Sequence, residues 1–98
     1  HHMIGSTYMG FFKTLCNETR LDIVLCLKEK PKSVSQIIKE LEIEQSRVSH
    51  NLQCLTKNGF LTVKQEGKQR IYSLNKDTVE PILRDVKKHI KKNKLCSC

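Results

Sequence analysis

Polar side chains that can hydrogen-bond the edges of DNA bases are concentrated in one short stretch, QSRVSHNLQ, at residues 45–53. An Asn or Gln amide can pair with adenine and an Arg guanidinium with guanine, while a Ser hydroxyl can bond bases or phosphates. An ordinary solvated helix face is the alternative interpretation, but the absence of Asp and Glu from the polar set favours contact with DNA. The candidate residues are Gln45, Ser46, Arg47, Ser49, His50, Asn51, Gln53 and the following Lys57.

A helix must position these side chains, because Val48, Leu52 and Leu55 recur at i, i+4 and i+7. We predict a helix over 44–58 that turns these three residues inward and the polar set outward. A shorter helix precedes it, opened by Ser33 with Gln36 three residues on, the pattern of a capping box. The break between the two helices is only three or four residues, which is typical of a helix-turn-helix corner.

Two short segments with alternating apolar residues, FLTVKQ and QRIYSL, follow this corner and flank Gly67. Such a pair predicts a β-hairpin with glycine at its turn. The hairpin is basic, and a basic ribbon beside a DNA-contacting helix suits the phosphate backbone or the minor groove. Its candidate DNA contacts are Lys64, Lys68, Gln69 and Arg70.

Three further helices complete the pattern. The first, over 7–15, carries an exposed apolar side with three aromatic residues; the second begins at the N-cap Asn17 and ends before Pro31; the last begins near Val79. The predicted order is α-α-α-α-β-β-α in one mainly α domain over 3–94. His1 and His2 are interpreted as a tag remnant, and residues 95–98 as a cysteine-containing tail.

Composition limits the partners. The chain has 98 residues with a formal charge of +8, which favours a polyanionic partner such as nucleic acid or an anionic membrane surface. Five cysteines without a signal-peptide pattern indicate a reducing, cytoplasmic compartment. We find no Gly-rich phosphate loop, paired carboxylates or Ser/His/Asp set, so an enzyme is not expected.

From about Leu15 to Ile90 the chain resembles the ArsR/SmtB family of winged-helix repressors. The resemblance is carried by LCNETRLDIVLCL, SVSQIIKELEIEQSRVSHNLQCLTKNGFL and EGKQRIYSL. It implies a winged helix-turn-helix fold and a homodimer formed by the first and last helices. It also implies a double-stranded, pseudo-palindromic operator with each recognition helix in a major groove, and an inducer that lowers operator affinity. Three positions depart from the family pattern, namely Glu42 for glycine, Glu44 for a serine cap and Ser46 for proline.

Two sensing sites that the resemblance implies are absent. The soft-metal site on the third helix would need cysteines at Ser33 and Ser35, and hydroxyls are poor ligands for thiophilic ions. The zinc site on the last helix maps onto four positions, of which only one keeps a ligand: Lys76, Thr78, His89 and Lys92.

A third type of site remains open. A cadmium- and lead-sensing branch of the family has a cysteine on the recognition helix, which maps onto Cys54, and a second four residues on, which maps onto Asn58. The resemblance then implies that Cys96 and Cys98 join Cys54 to bind arsenite, cadmium or lead. Core packing of Cys54 is the alternative, and so is oxidation of a thiol pair between Cys26 and the tail. Core packing is also expected for Cys16 and Cys26.

A different class of function stays open as well. The last helix carries six basic residues against one Asp over 84–94, so the domain could be a basic protein-interaction or membrane-surface module without an inducer. Its apolar side lacks Trp and Phe, which argues against insertion into lipid.

Overall fold

The computed structural model describes residues 3–94, and the side chains of residues 7–94. It confirms the predicted helices and hairpin and adds one short strand. The elements are α1 (Met3–Leu15), α2 (Glu18–Glu29), β1 (Lys32–Ser33), α3 (Val34–Leu41), α4 (Gln45–Lys57), β2 (Leu61–Glu66), β3 (Gln69–Leu74) and α5 (Val79–Lys92). The strands form an antiparallel sheet in the order β1-β3-β2. β1 was not predicted because two residues cannot show an alternating pattern.

Local caps begin the two helices for which the sequence predicts them. The Asn17 side chain accepts the backbone N–H of Arg20 at 3.0 Å at the start of α2. At the start of α3, Ser33 and Gln36 form the reciprocal bonds of a capping box. Apolar residues of α2, α3, α4, the hairpin and α5 then meet in one core, so α4 is held on its apolar face by the rest of the domain.

The α3–α4 corner contains the one non-glycine residue with positive φ among those described. Glu42 is left-handed, with φ 54° and ψ 45°, and its backbone N–H donates to the Ile38 carbonyl at 2.8 Å. A side chain makes this conformation costly by about 1 kcal/mol. The predicted departure from glycine is therefore a strained position.

We expect Glu42→Gly to raise the free energy of unfolding by about 0.5–1 kcal/mol, because glycine adopts positive φ without strain. Urea unfolding measures the change. Glu44→Gly is the matched control, since Glu44 has a φ of −55° and gains nothing from glycine. An equal effect of both substitutions, or a loss of stability in Glu42→Gly, would contradict the strain.

A buried lysine ties together the elements that precede α4. Lys32 is only 3% exposed, and its Nζ donates to the Cys26 carbonyl at 2.9 Å and to Glu40 Oε1 at 2.7 Å. A weaker bond reaches Glu29 Oε1 at 3.3 Å. The bond to Glu40 raises the pKa of Lys32 against the opposing effect of burial, and it lowers the pKa of Glu40 below 4.5. Burial raises the pKa of the neighbouring Cys26 thiol.

This cluster should make stability depend on pH. Because the folded pKa of Glu40 is lowered, its contribution is present above the ordinary value of 4.5 and is lost as pH falls through the folded pKa. Thermal melts should therefore show that Glu40→Gln lowers the melting temperature at pH 7, by an amount that shrinks as the pH falls below 4.5. Glu29→Gln removes the same charge from a longer contact and should have the smaller effect. Equal shifts for both variants, or a shift that stays constant as the pH falls below 4.5, would be inconsistent with the pair.

Candidate nucleic-acid interface

Helix α4 presents two distinct faces. Val48, Leu52 and Leu55 are fully buried, as predicted from their spacing. The opposite side of α4 carries one row of exposed polar side chains, spaced at i, i+4, i+7 and i+11 from Ser46. Arg47 is exposed beside this row. The row consists of Ser46, His50, Gln53 and Lys57. No acidic side chain lies within α4, so this face can approach a polyanion.

At Asn51 the structure differs from the predicted polar face of α4. It is only 6% exposed, so the expectation that it points outward is wrong. Its Nδ2 donates to the Arg47 carbonyl at 2.8 Å, and its Oδ1 accepts a long bond of 3.4 Å from Arg20 Nη1. Arg20 also donates from Nε to the Thr14 carbonyl at 2.6 Å. Asn51 thus links α4 to α2 and the end of α1, and it is not available to a base.

The start of α4 lacks the serine cap that the family uses. Glu44 makes no side-chain cap, and its Oε1 instead accepts the Ser46 hydroxyl at 2.7 Å. Ser46 must therefore release this carboxylate before it can donate to DNA. The position of Glu44 at the helix N-terminus is still favourable, because the helix dipole stabilises negative charge there.

The hairpin turns at Gly67, as predicted. Glu66 pairs with Gln69, which leaves Gly67 and Lys68 as a two-residue turn, and Gly67 has a φ of 62°. Positive φ at a hairpin turn is the reason for glycine there. Lys64, Lys68 and Arg70 are exposed on the two strands and the turn, together with Gln69.

A groove of about 570 Å³ separates the hairpin from α4 and the start of α3. It brings together six of the predicted DNA contacts, and no acidic residue lines it. These six are Gln45, Ser49 and Gln53 from α4, and Lys68, Gln69 and Arg70 from the hairpin. Ser46, Arg47, His50, Lys57 and Lys64 do not line the groove. Sequence reasoning missed Ser33, Val34 and Ser35 as groove residues, because only the fold places the start of α3 beside the hairpin.

The charge of +8 is divided between two regions of the chain. Residues 45–74 hold five basic side chains and one acidic one, and residues 79–94 hold six basic and two acidic ones. In the remainder, seven basic residues balance seven acidic ones. Half of the excess positive charge therefore lies on α4 and the hairpin, and the other half lies on α5 and the two residues after it.

Among the described residues, no group of three or more His, Cys, Asp and Glu side chains is placed to hold a metal ion. The Cys54 thiol is half-buried, and the Asn58 amide Nδ2 lies 3.8 Å from its Sγ. An amide nitrogen is not a ligand for a soft ion. The predicted partners Cys96 and Cys98 lie outside the described residues. Cys26 is buried, as expected for core packing, whereas Cys16 is exposed, so the expectation of core packing for Cys16 is wrong.

A second surface is apolar. Tyr8, Met9 and Phe12 of α1 are more than half exposed, and Ile82 of α5 shares an apolar cavity of about 400 Å³ with the aromatic side chains of α1. The exposed apolar residues of α5 continue this surface over three turns: Ile82, Val86 and Ile90. Within residues 3–94, no helix is both long and apolar enough to span a bilayer.

Comparisons with known proteins agree with this geometry. Residues 17–63 match the model of a family described as bacterial regulatory proteins of the arsR family. The transcriptional repressor PagR of Bacillus anthracis is 38% identical over 73 residues, which cover 74% of this chain and 73% of PagR. Against several other relatives the chain spans only 62–66% of the relative's length.

Solved structures share the fold. Rv0081 of Mycobacterium tuberculosis superposes with a TM-score of 0.86 at 25% identity, over 94% of this chain and 93% of that one. A homodimeric winged helix-turn-helix DNA-binding domain, Mb0332 of Mycobacterium bovis, superposes with a TM-score of 0.73 at 24% identity, over 87% of this chain and 82% of that one. The second likeness establishes the fold alone, a winged helix-turn-helix in which the hairpin is the wing.

Proposed function

This chain belongs to the arsR family of bacterial regulatory proteins, and on that premise we propose that it is a homodimeric, sequence-specific repressor of transcription that binds double-stranded operator DNA. The observation that carries the proposal is the groove between α4 and the hairpin, which is lined by polar, basic and a few apolar side chains and by no acidic residue. Amides and Arg47 on α4 suit base edges, and the lysines of the hairpin suit phosphates. The relative PagR is named a transcriptional repressor, which supports repression rather than activation of transcription.

The proposed dimer rests on the apolar surface of α1 and α5. A contiguous apolar surface of this kind is rarely left open on a soluble domain, and a second copy would bury it. Two-fold symmetry then places the two α4 helices on successive major grooves of one duplex.

Selection of duplexes from a random pool, followed by footprinting of the enriched sequence, tests the proposed function. The expected footprint is a pseudo-palindrome whose half-sites are centred about 34 Å apart, or a multiple of that distance. A pool that gains no preferred sequence after repeated rounds would remove the proposal of an operator-specific repressor.

We also propose that an inducer, a soft ion such as arsenite, cadmium or lead, acts through the thiol of Cys54 with Cys96 and Cys98. The support is that Cys54 lies on α4 itself, so a ligand there would act directly on the DNA-contacting helix. Among the described residues Cys54 is the one cysteine of the proposed site, and a soft ion needs two or three thiols. The proposal therefore depends on the tail.

Arsenite or cadmium should lower the affinity for the enriched duplex by about 5- to 150-fold, the usual range of coupling between two sites. Titration of DNA binding with each ion measures it, with zinc for comparison. The combined Cys96→Ser, Cys98→Ser variant should lose the response, and Cys16→Ser should keep it. If the DNA affinity of the wild-type protein responds to none of these ions, the inducer proposal is wrong and Cys54 serves only in packing.

A further inference from the structure

The basic residues of α5 form a ridge along one side of the helix. We define the basic ridge as Arg84, Lys87, Lys88, Lys91 and Lys92, which recur at i, i+3, i+4, i+7 and i+8 and therefore share one side of the helix. All five are exposed, and only Arg84 has an ion pair within residues 3–94, to Glu80 at 3.6 Å. With a rise of 1.5 Å per residue, the ridge extends about 12 Å.

This arrangement is unfavourable for the isolated helix. Arg84 with Lys88, Lys87 with Lys91, and Lys88 with Lys92 place like charges at i and i+4, where they repel each other. The helix dipole favours the two lysines of the last turn, but its effect does not extend to Arg84, Lys87 and Lys88. An ordinary solvated face mixes both signs of charge, whereas all five residues of the ridge are cations. The acidic residues of α5 are Glu80, one turn before Arg84, and Asp85 at the edge of the ridge. The repulsion is relieved when an anionic surface faces the ridge.

We propose that the basic ridge is a second surface for duplex DNA, which contacts phosphates without base preference and is separate from the face of α4. Duplex DNA carries one charge per about 1.7 Å of axis with both strands counted, so 12 Å of duplex holds about seven phosphates, and those on the near side can face the ridge. Lysine, a point charge on a flexible stem, suits such contacts better than paired recognition of a carboxylate.

A protein partner fits the ridge less well. Lysine is depleted in protein interfaces, which depend on aromatic or apolar anchors near their centres. The ridge contains no such anchor, because the apolar residues of α5 lie on a neighbouring side of the helix. The start of α5 is also distant from the wing tip. α5 begins at the end of the hairpin opposite Gly67, and six paired residues place those ends about 17 Å apart.

A membrane surface fits less well for a similar reason. A helix that lies on lipid buries an apolar face that carries Trp or Phe. The apolar residues of α5 include neither, and Ile82 lines a cavity together with the aromatic side chains of α1. The apolar side of α5 is therefore suited to packing against protein. The ridge is suited to a partner that binds by electrostatic attraction alone.

The test compares two variants that lose the same charge. Binding of a fluorescent 30-base-pair duplex of random sequence is measured by anisotropy across a series of salt concentrations. The ridge variant is Lys87→Gln, Lys88→Gln, Lys91→Gln, Lys92→Gln. The control variant is Lys13→Gln, Lys30→Gln, Lys39→Gln, Lys76→Gln, whose lysines are exposed and lie outside α4, the hairpin and α5. Because each lost phosphate contact removes about 0.9 from the slope of log affinity against log salt, the loss of four contacts should make the slope of the ridge variant shallower by about 3.6.

The control variant should change the slope by less than about 1. Equal changes in the two variants would overturn the ridge as a DNA surface.

Vesicles of phosphatidylserine and phosphatidylcholine form a second arm. Vesicle binding that depends on the ridge, without a ridge-dependent DNA slope, would overturn DNA as the partner. A third arm uses Arg47→Ala, Gln53→Ala. If this variant loses sequence preference while the effect of the ridge substitutions on the salt slope is unchanged, both proposals are supported. If the wild-type protein has no sequence preference but the ridge substitutions still change the salt slope, the ridge proposal stands and the operator proposal fails.

Discussion

Val86→Glu should convert the proposed dimer into a monomer. Val86 is 46% exposed in the single chain and contributes nothing to the buried core, so the monomer keeps its fold. In a symmetric dimer through α1 and α5, each copy would bury a carboxylate between Ile82 and Ile90 without a cationic partner. Such a charge costs about 3–5 kcal/mol, so the dissociation constant of the dimer should rise about a thousandfold or more.

Sedimentation velocity over a series of protein concentrations measures this change. Val63→Glu is the matched control, because Val63 is 44% exposed on β2, far along the chain from both helices, and should leave the dimer intact. The affinity for a two-half-site duplex should fall together with dimerisation in Val86→Glu. A Val86→Glu protein that remains dimeric at the wild-type concentration range would show that another surface holds the two copies together.

Arg47→Ala with Gln53→Ala should remove most of the preference for the enriched duplex over random DNA. Both side chains are exposed on α4, and each can make a bidentate bond to a base edge that is worth about 1–3 kcal/mol of discrimination. Loss of both should lower the preference by at least about 30-fold. Affinity for random DNA should fall much less, because the phosphate contacts proposed for the hairpin are unchanged in this variant.

Competition between labelled enriched duplex and unlabelled random duplex gives this preference directly. Lys39→Ala, an exposed cation on α3, is the control for the loss of one positive charge and should keep the preference. Circular dichroism melts establish that the variants are folded. An unchanged preference in the double variant would place sequence discrimination on another element.

Elements governed by local rules could be predicted from the sequence. The caps at Asn17 and Ser33, the apolar rhythm of α4 and the glycine of the hairpin turn depend on residues within a few positions of one another. The side of α4 that faces inward follows from the spacing of three apolar residues, and the structure confirms it.

Features that depend on distant residues could not be predicted. Asn51 belongs by type to the DNA-contacting set, yet it is buried where its Oδ1 accepts a bond from Arg20, 31 positions earlier. Lys32 is a charged residue that the sequence gives no reason to bury, and its partners Cys26 and Glu40 lie on two different helices. The wall of the groove formed by the start of α3 requires β1 to pair with β3, across about forty residues of chain. Periodicity carries no information about such pairings.

The most direct test of the central claim is methylation interference on the enriched duplex. Guanine N7 faces the major groove and adenine N3 faces the minor groove, so methylation distinguishes the groove that α4 enters. If the exposed face of α4 contacts base edges, N7 methylation within each half-site should block binding of the wild-type protein. The same methylation should have little effect on the residual binding of Arg47→Ala, Gln53→Ala. Binding that is insensitive to every N7 methylation in the footprint would contradict the account.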